Sequence, residues 1–145
     1  MEPETFDAER VTGFWLIEAE EALRVADHLM DKADYSYALF FGHLAVEKIL
    51  KALYAARSGK HAPPIHNLLR LSKASGLELN EARKEALITI TAFNIEARYP
   101  DFRRSFRLKC TEEYSKQQMA VVKEVYQWLR SQITSNKVSS DFLPR

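Results

Sequence analysis

The chain has 145 residues, with 21 Lys and Arg against 20 Asp and Glu and a formal net charge of +1 at pH 7. That length suits one domain with its own core, and the near balance of charge excludes a global basic field of the kind that marks a general nucleic-acid binder. The single Cys110 excludes an intramolecular disulfide and a cysteine-built zinc site, and it points to a reduced, cytoplasmic setting.

Apolar residues recur at helical spacing along most of the chain, and only 4 Gly and 5 Pro interrupt it. The acidic start, Met1-Glu2-Pro3-Glu4-Thr5, has no apolar stretch that would make a signal peptide. The first helix is expected over Phe6 to Lys32, capped by Asp7 and carrying Val11, Phe14, Trp15, Ala22, Ala26 and Leu29 on its apolar side. The second runs from Tyr35 to Arg57. It ends where Ser58-Gly59-Lys60-His61-Ala62-Pro63-Pro64 removes helical backbone geometry and backbone donors. A short helix spans Asn67 to Ser75 and stops at Gly76. Asn80 caps the next long helix, Glu81 and Glu85 favour its positive end, and Pro100 terminates it. Phe102 to Lys109 reads as a basic loop, and Thr111 caps a last long helix with Val121, Val122, Val125, Trp128, Leu129 and Ile133 on its buried side. From Lys137 onward the chain turns polar, so an ordered core of about residues 6–136 and a flexible tail at 137–145 are expected within one domain. The fold class is all-α: an antiparallel up-and-down bundle of four long helices plus a short one. No apolar run reaches the roughly 18 residues needed to cross a bilayer, so no membrane association is expected.

Two helices carry more than a bundle requires. The second is apolar on several sides, with Phe40, Phe41, Leu44, Val46, Ile49, Leu50 and Leu53. Such a helix is either buried centrally or shares its surface with a second subunit, and a homodimer is expected. In the helix ending at Pro100, Thr91, Asn94 and Arg98 align with Leu87. Ile90, Ala97, Ile88, Ile95 and Tyr99 flank that line, while Thr89 and Glu96 face solvent. An arginine in an apolar arc needs a partner, a cleft or a second subunit. Arg98 and Asp101 therefore form either a ligand-facing pair, with the guanidinium fork on an anion, or an internal salt bridge pinning the helix end.

Other residues offer weaker chemistry. His43, Glu47 and Lys51 share one line at four-residue spacing. One His and one Glu are too few for a closed zinc site, so this line reads as a polar face with a Glu47–Lys51 surface pair contributing about 0.3–0.5 kcal/mol. Lys48 lies at the edge of the apolar face, within reach of a cleft between helices. His61 and His66 flank Pro63-Pro64; His66 is either a general acid or base or a structural residue at the start of the short helix. Arg103, Arg104, Arg107 and Lys109, interleaved with Phe102 and Phe106, either bind RNA, dock an acidic partner, or form a solvated loop whose phenylalanines fold back on the bundle.

Three segments, in order, resemble the HEPN domain family. The second helix, Tyr37 to Leu53, contains Val46-Glu47-Lys48-Ile49-Leu50-Lys51-Ala52-Leu53, similar to the family's Ala-Glu-Lys-x-Leu-Lys-Ala-Leu pattern with Val46 in place of the common alanine. Ile65-His66-Asn67-Leu68 resembles the family's Thr-His-Asn/Asp-Leu segment, and Ala97-Arg98-Tyr99-Pro100-Asp101 resembles its Arg-Tyr-Pro-Asp signature. The resemblance implies a bundle of about five helices, commonly a homodimer. It also implies a genomic partnership with a minimal nucleotidyltransferase, often as a toxin–antitoxin pair, and some members are metal-independent ribonucleases. Those ribonucleases carry an arginine followed, after four to six residues, by a histidine. Downstream of Arg98 the matching positions hold Arg103, Arg104 and Ser105, and no histidine follows His66. The expectation is therefore a nucleotide- or RNA-binding module that acts with a nucleotidyltransferase. A metal-independent ribonuclease toxin and a structural dimeric scaffold are the alternatives. Arg98, Asp101, Asn94, Lys48, Arg103 and Arg104 form the expected ligand-binding set, with His66, Glu47 and Lys51 secondary; no cofactor and no metal are expected.

Overall fold

The computed structural model describes residues 6–135, all helix and connecting turns. Four long helices, α1 (Ala8–Asp31), α2 (Tyr35–Ser58), α4 (Glu81–Arg98) and α6 (Glu112–Ser135), are joined by two short ones, α3 (Leu68–Ala74) and α5 (Ser105–Lys109). The all-α bundle read from the sequence is the observed architecture. The expected flexible tail at 137–145 lies outside the described residues.

Local chemistry sets the helix starts. The Asp7 side chain accepts from the Arg10 backbone N–H at 3.1 Å, Asn67 from Arg70 at 3.0 Å, and Asn80 from Arg83 at 2.8 Å. The Thr111 hydroxyl accepts from Tyr114 N–H at 3.2 Å. Each bond satisfies a backbone donor that the first helical turn leaves orphaned. At its other end α2 closes on Gly59, whose φ of 66° is the left-handed geometry that glycine adopts without penalty.

The core is built around α2, which packs on α1 most extensively and then on α6, α4, α3 and α5. Small residues allow the α1–α2 approach: Ala19, Ala22 and Ala26 on one helix and Ala38, Ala45 and Ala52 on the other are buried. Leu39, Ile49, Leu50 and Leu53 of α2 are fully enclosed. Val46, Ile49, Leu50 and Leu53 are thus covered within one chain, while Phe40, Phe41 and Leu44 are only partly buried. Ile88 and Ile95 are each 55% exposed and Tyr99 is 64% exposed, although the sequence placed them beside the buried arc of α4. That arc is narrower than expected, because only Leu87, Ile90, Phe93 and Asn94 of α4 are buried.

The stretch Phe102 to Lys109 is not a simple loop. Asp101 accepts hydrogen bonds from Ser105 N–H at 2.7 Å and Ser105 Oγ at 2.6 Å, Arg104 turns the chain at φ 57°, and five residues then form α5. Burial of Phe106 against Phe93, with ring centroids 5.9 Å apart, holds this turn to the bundle. Phe102 does not fold back and is fully exposed.

Gly42 of α2 packs closely on α6, where an added Cβ would lie 3.2 Å from a Val122 methyl. Gly42→Leu should separate the two helices and lower stability by about 1–3 kcal/mol, as expected for overpacking, and chemical denaturation would read it as a lower midpoint.

Candidate functional site

The functional side chains gather where α2, the segment entering α3, and α4 meet. His43 and Glu47 are on α2, yet neither belongs to a solvated face: His43 is completely buried and Glu47 is 4% exposed. The reading of this line as a surface strip is overturned, because the Pro63–Asn67 connection folds across it. The Glu47–Lys51 contact, 3.5 Å long, joins a carboxylate 6% exposed to an ammonium 16% exposed, so it is not a surface pair. Lys51 also lies 4.8 Å from the Trp15 ring centroid, which ties the pair to α1.

His66 completes the arrangement. Its Nδ1 donates to Glu47 Oε1 at 2.8 Å, while its backbone carbonyl accepts from His43 Nε2 at 3.2 Å. A carbonyl can only accept, so His43 Nε2 carries the proton and Nδ1 is its acceptor. That Nδ1 is sealed with no hydrogen-bond partner among the described residues. Burial pushes the His43 pKa down; the bond to His66 and the Glu47 charge oppose this, and the His66 and Arg98 charges add to it. A proton added at Nδ1 would also be a buried donor without an acceptor. His66 is different: its side chain is 63% exposed, with Nδ1 committed to the buried carboxylate and Nε2 toward solvent. Glu47 thereby orients an accessible imidazole.

From α4, the Thr91 hydroxyl donates to Leu87 O at 2.7 Å and accepts from Leu68 N–H at 3.1 Å, locking the start of α3 to α4. Asn94 is 6% exposed, and its Oδ1 accepts from Arg98 Nη1 at 3.4 Å. Arg98 Nη2 donates to the Tyr99 hydroxyl at 3.3 Å, and the guanidinium lies 5.2 Å from that ring centroid. Both bonds are near the outer limit, and Arg98 has no carboxylate partner among the described residues. Most of its five donors are thus uncommitted.

The internal Arg98–Asp101 salt bridge, one of the two expected arrangements, is absent among the described residues. Both Asp101 oxygens are engaged by Ser105, whose hydroxyl and then backbone N–H hold the carboxyl below its ordinary pKa. Asp101 shapes the turn that follows α4. Lys48 is half-buried, and Arg103 and Arg104 are exposed on the turn before α5. Arg104 lines a cavity of about 290 Å³ with Glu96, Tyr37 and Arg107. Glu96 is half-buried there, against its expected place in solvent. Tyr37 carried no signal in the sequence, because only the return of α5 brings it to this cavity. The described residues contain no group of three or more His, Cys, Asp or Glu able to hold a metal ion. They contain no helix long and apolar enough to cross a membrane. Cys110 is a buried free thiol, pushed up to about 11 chiefly by burial.

The HEPN domain family matches residues 12–132. The crystal structure of TT1696 from Thermus thermophilus is similar in fold, with a TM-score of 0.72 and 22% identity over 85% of this chain and 98% of that one. No curated protein matches the chain.

The depressed His43 pKa gives a signed pH dependence. Above its ordinary value of 6.5 the imidazole is neutral in both states. Below it, the unfolded chain takes up a proton that the folded chain resists, so stability falls as pH drops from 6.5 toward the lower folded pKa. Thermal denaturation of the wild type across this range should show that fall, and His43→Gln should flatten it.

Proposed function

The chain belongs to the HEPN domain family, and from that premise we propose that it is a nucleotide- or RNA-binding module whose anion site is Arg98. The observation that carries this reading is an arginine without a carboxylate partner at the mouth of a polar seam. Asn94 and Tyr99 hold the guanidinium in place through weak contacts and leave its fork open to a phosphate. The exposed Arg103 and Arg104 follow within one turn of chain and extend the positive surface along a phosphodiester backbone. Lys48, half-buried on α2, adds a cation at the edge of the same region.

The functional unit is a homodimer in the cytoplasm that acts with a minimal nucleotidyltransferase in a toxin–antitoxin-like pair. Support for the dimer comes from α4: Ile88, Ile95 and Tyr99 are exposed at seven- and four-residue spacing, one stripe of a helix surface. Support for the nucleotidyltransferase comes from the Arg98-Tyr99-Pro100-Asp101 resemblance and from the exposed basic turn that follows. Light scattering should give twice the chain mass at micromolar concentration, and Ile95→Asp should return it to one. A protein that is a monomer at that concentration ends the dimer reading.

A second reading, a metal-independent ribonuclease, is favoured by one feature: the Glu47–His66 pair presents an oriented imidazole to solvent. Binding and cleavage separate in one experiment with purified protein and mixed single-stranded RNA without metal. The binding module retains RNA on a filter and releases no fragments. Arg98→Ala abolishes retention with less than about 1 kcal/mol loss of stability, because both of its bonds are long. Loss of folding in Arg98→Ala would make the arginine a structural residue. Cleavage abolished by both Arg98→Ala and His66→Ala would replace the binding reading with the ribonuclease one.

A further inference from the structure

Residues of α2, α4, α5 and the turn between α4 and α5 line a second recess. Its cavity of about 290 Å³ is floored by the buried Phe106 and walled by Ala97 and Pro100, with Tyr37, Glu96, Arg104 and Arg107 around it. This volume is at the lower end of ligand sites, so it takes a base and sugar rather than a dinucleotide.

Three properties restrict the occupant. Glu96 is half-buried, lines the recess, and receives no hydrogen bond or ion pair among the described residues. A part-buried carboxylate without donors is a strong acceptor with two adjacent oxygens. The other acid in the recess, Asp101, already accepts from Ser105 through each of its oxygens, whereas Glu96 accepts from none. Tyr37 is 47% exposed with Arg107 5.8 Å from its ring centroid, which makes an open aromatic and guanidinium surface for a flat ring. Arg104 and Arg107 are exposed cations at the rim, and neither pairs with an acid among the described residues.

The ligand must therefore present two neighbouring N–H donors, an aromatic plane and an anion. We propose that this recess binds a guanine nucleotide, either free or as an unpaired guanosine of an RNA strand. Guanine N1–H and its 2-amino group donate side by side to the two Glu96 oxygens, the ring lies against Tyr37, and Arg104 and Arg107 hold the phosphate. Adenine and cytosine each offer one donor beside an acceptor on that edge, and uracil offers one donor between two carbonyls, so the carboxylate repels part of each. The proposal rests on the nucleotide-binding reading but uses residues separate from Arg98.

Calorimetry of the full chain with GMP and AMP tests it, alongside short single-stranded RNAs carrying one G or one A. GMP should bind at least tenfold more tightly than AMP, and IMP, which lacks the 2-amino group, should fall between them. Glu96→Gln turns one acceptor into a donor and should erase or reverse the preference, while Arg107→Ala should weaken GMP and AMP alike. Circular dichroism confirms that each variant folds. A preference for the G-containing RNA with no GMP binding assigns the site to RNA guanosine; the opposite result assigns it to the free nucleotide. Equal binding of GMP and AMP, or a preference unchanged by Glu96→Gln, overturns the guanine proposal and leaves Arg98 untouched. GMP binding that survives Arg98→Ala, in a wild-type protein that retains no RNA, keeps the recess and overturns only the Arg98 reading.

Discussion

Two ionisable side chains buried on the central helix govern the arrangement. An unpaired carboxylate and an unpaired imidazole inside a helical bundle would each be costly. The chain meets that constraint by folding the Pro63–Asn67 connection over α2, so that His66 bonds Glu47 with its ring and His43 with its carbonyl. That connection could otherwise cross the bundle along several paths, because its prolines forbid helix and it carries little apolar surface. Two hydrogen bonds from one residue choose the path. Asn67 then caps α3 where Leu68 can bond Thr91, and Thr91 binds α3 to α4. The position of Arg98, two turns further along α4, follows from that docking.

The same constraint explains why the polar residues differ so much in availability. Glu47 has both oxygens engaged, one by His66 and one by Lys51, and is closed to solvent. His43 has one nitrogen bonded and one sealed. These groups organise the site and cannot reach a ligand. His66 and Arg98 lie at the outer end of the network and keep free donors or acceptors. A buried inner layer that positions an exposed outer layer is the usual physical basis of a preorganised site.

The end of α4 serves two faces at once. One carries Asn94 and Arg98 toward α2 and the start of α3. The other carries Glu96 and Ala97 toward α5. Asp101 separates them by turning the chain through Ser105 and Arg104, a residue held at positive φ without being glycine. Positive φ in an arginine is costly, and it persists here because the two Ser105 bonds and the burial of Phe106 over-determine the turn. Ile88, Ile95 and Tyr99 are exposed, and Ile95 and Tyr99 line a further cavity with Glu96 and Asp101.

The all-helical bundle, the caps Asp7, Asn80 and Thr111 and the breaks at Gly59 and Pro100 were legible in the sequence, because caps, breakers and 3.6-residue periodicity act within a few residues; that Asn67 caps α3 was not. The family was legible as well, in the residues around Glu47, His66 and Arg98. Periodicity also placed Asn94 correctly on the buried line of α4. It could not reveal how wide that line was, since the width depends on how closely α2 and α6 approach; Ile88 and Ile95 were left outside it. Nor could it tell that the His43–Glu47 line is buried, because a helix with apolar residues all round has no face that must be the solvent one. An internal Arg98–Asp101 salt bridge was one of two readings of their proximity along the chain, yet a serine four residues on bonds both Asp101 oxygens. Tyr37 and Glu96 meet Arg107 only because α5 folds back on Phe106. Local chemistry thus set the elements and most of their ends, while the identity of each polar residue's partner depended on contacts between segments distant in sequence, which only the packed structure brings within hydrogen-bonding distance.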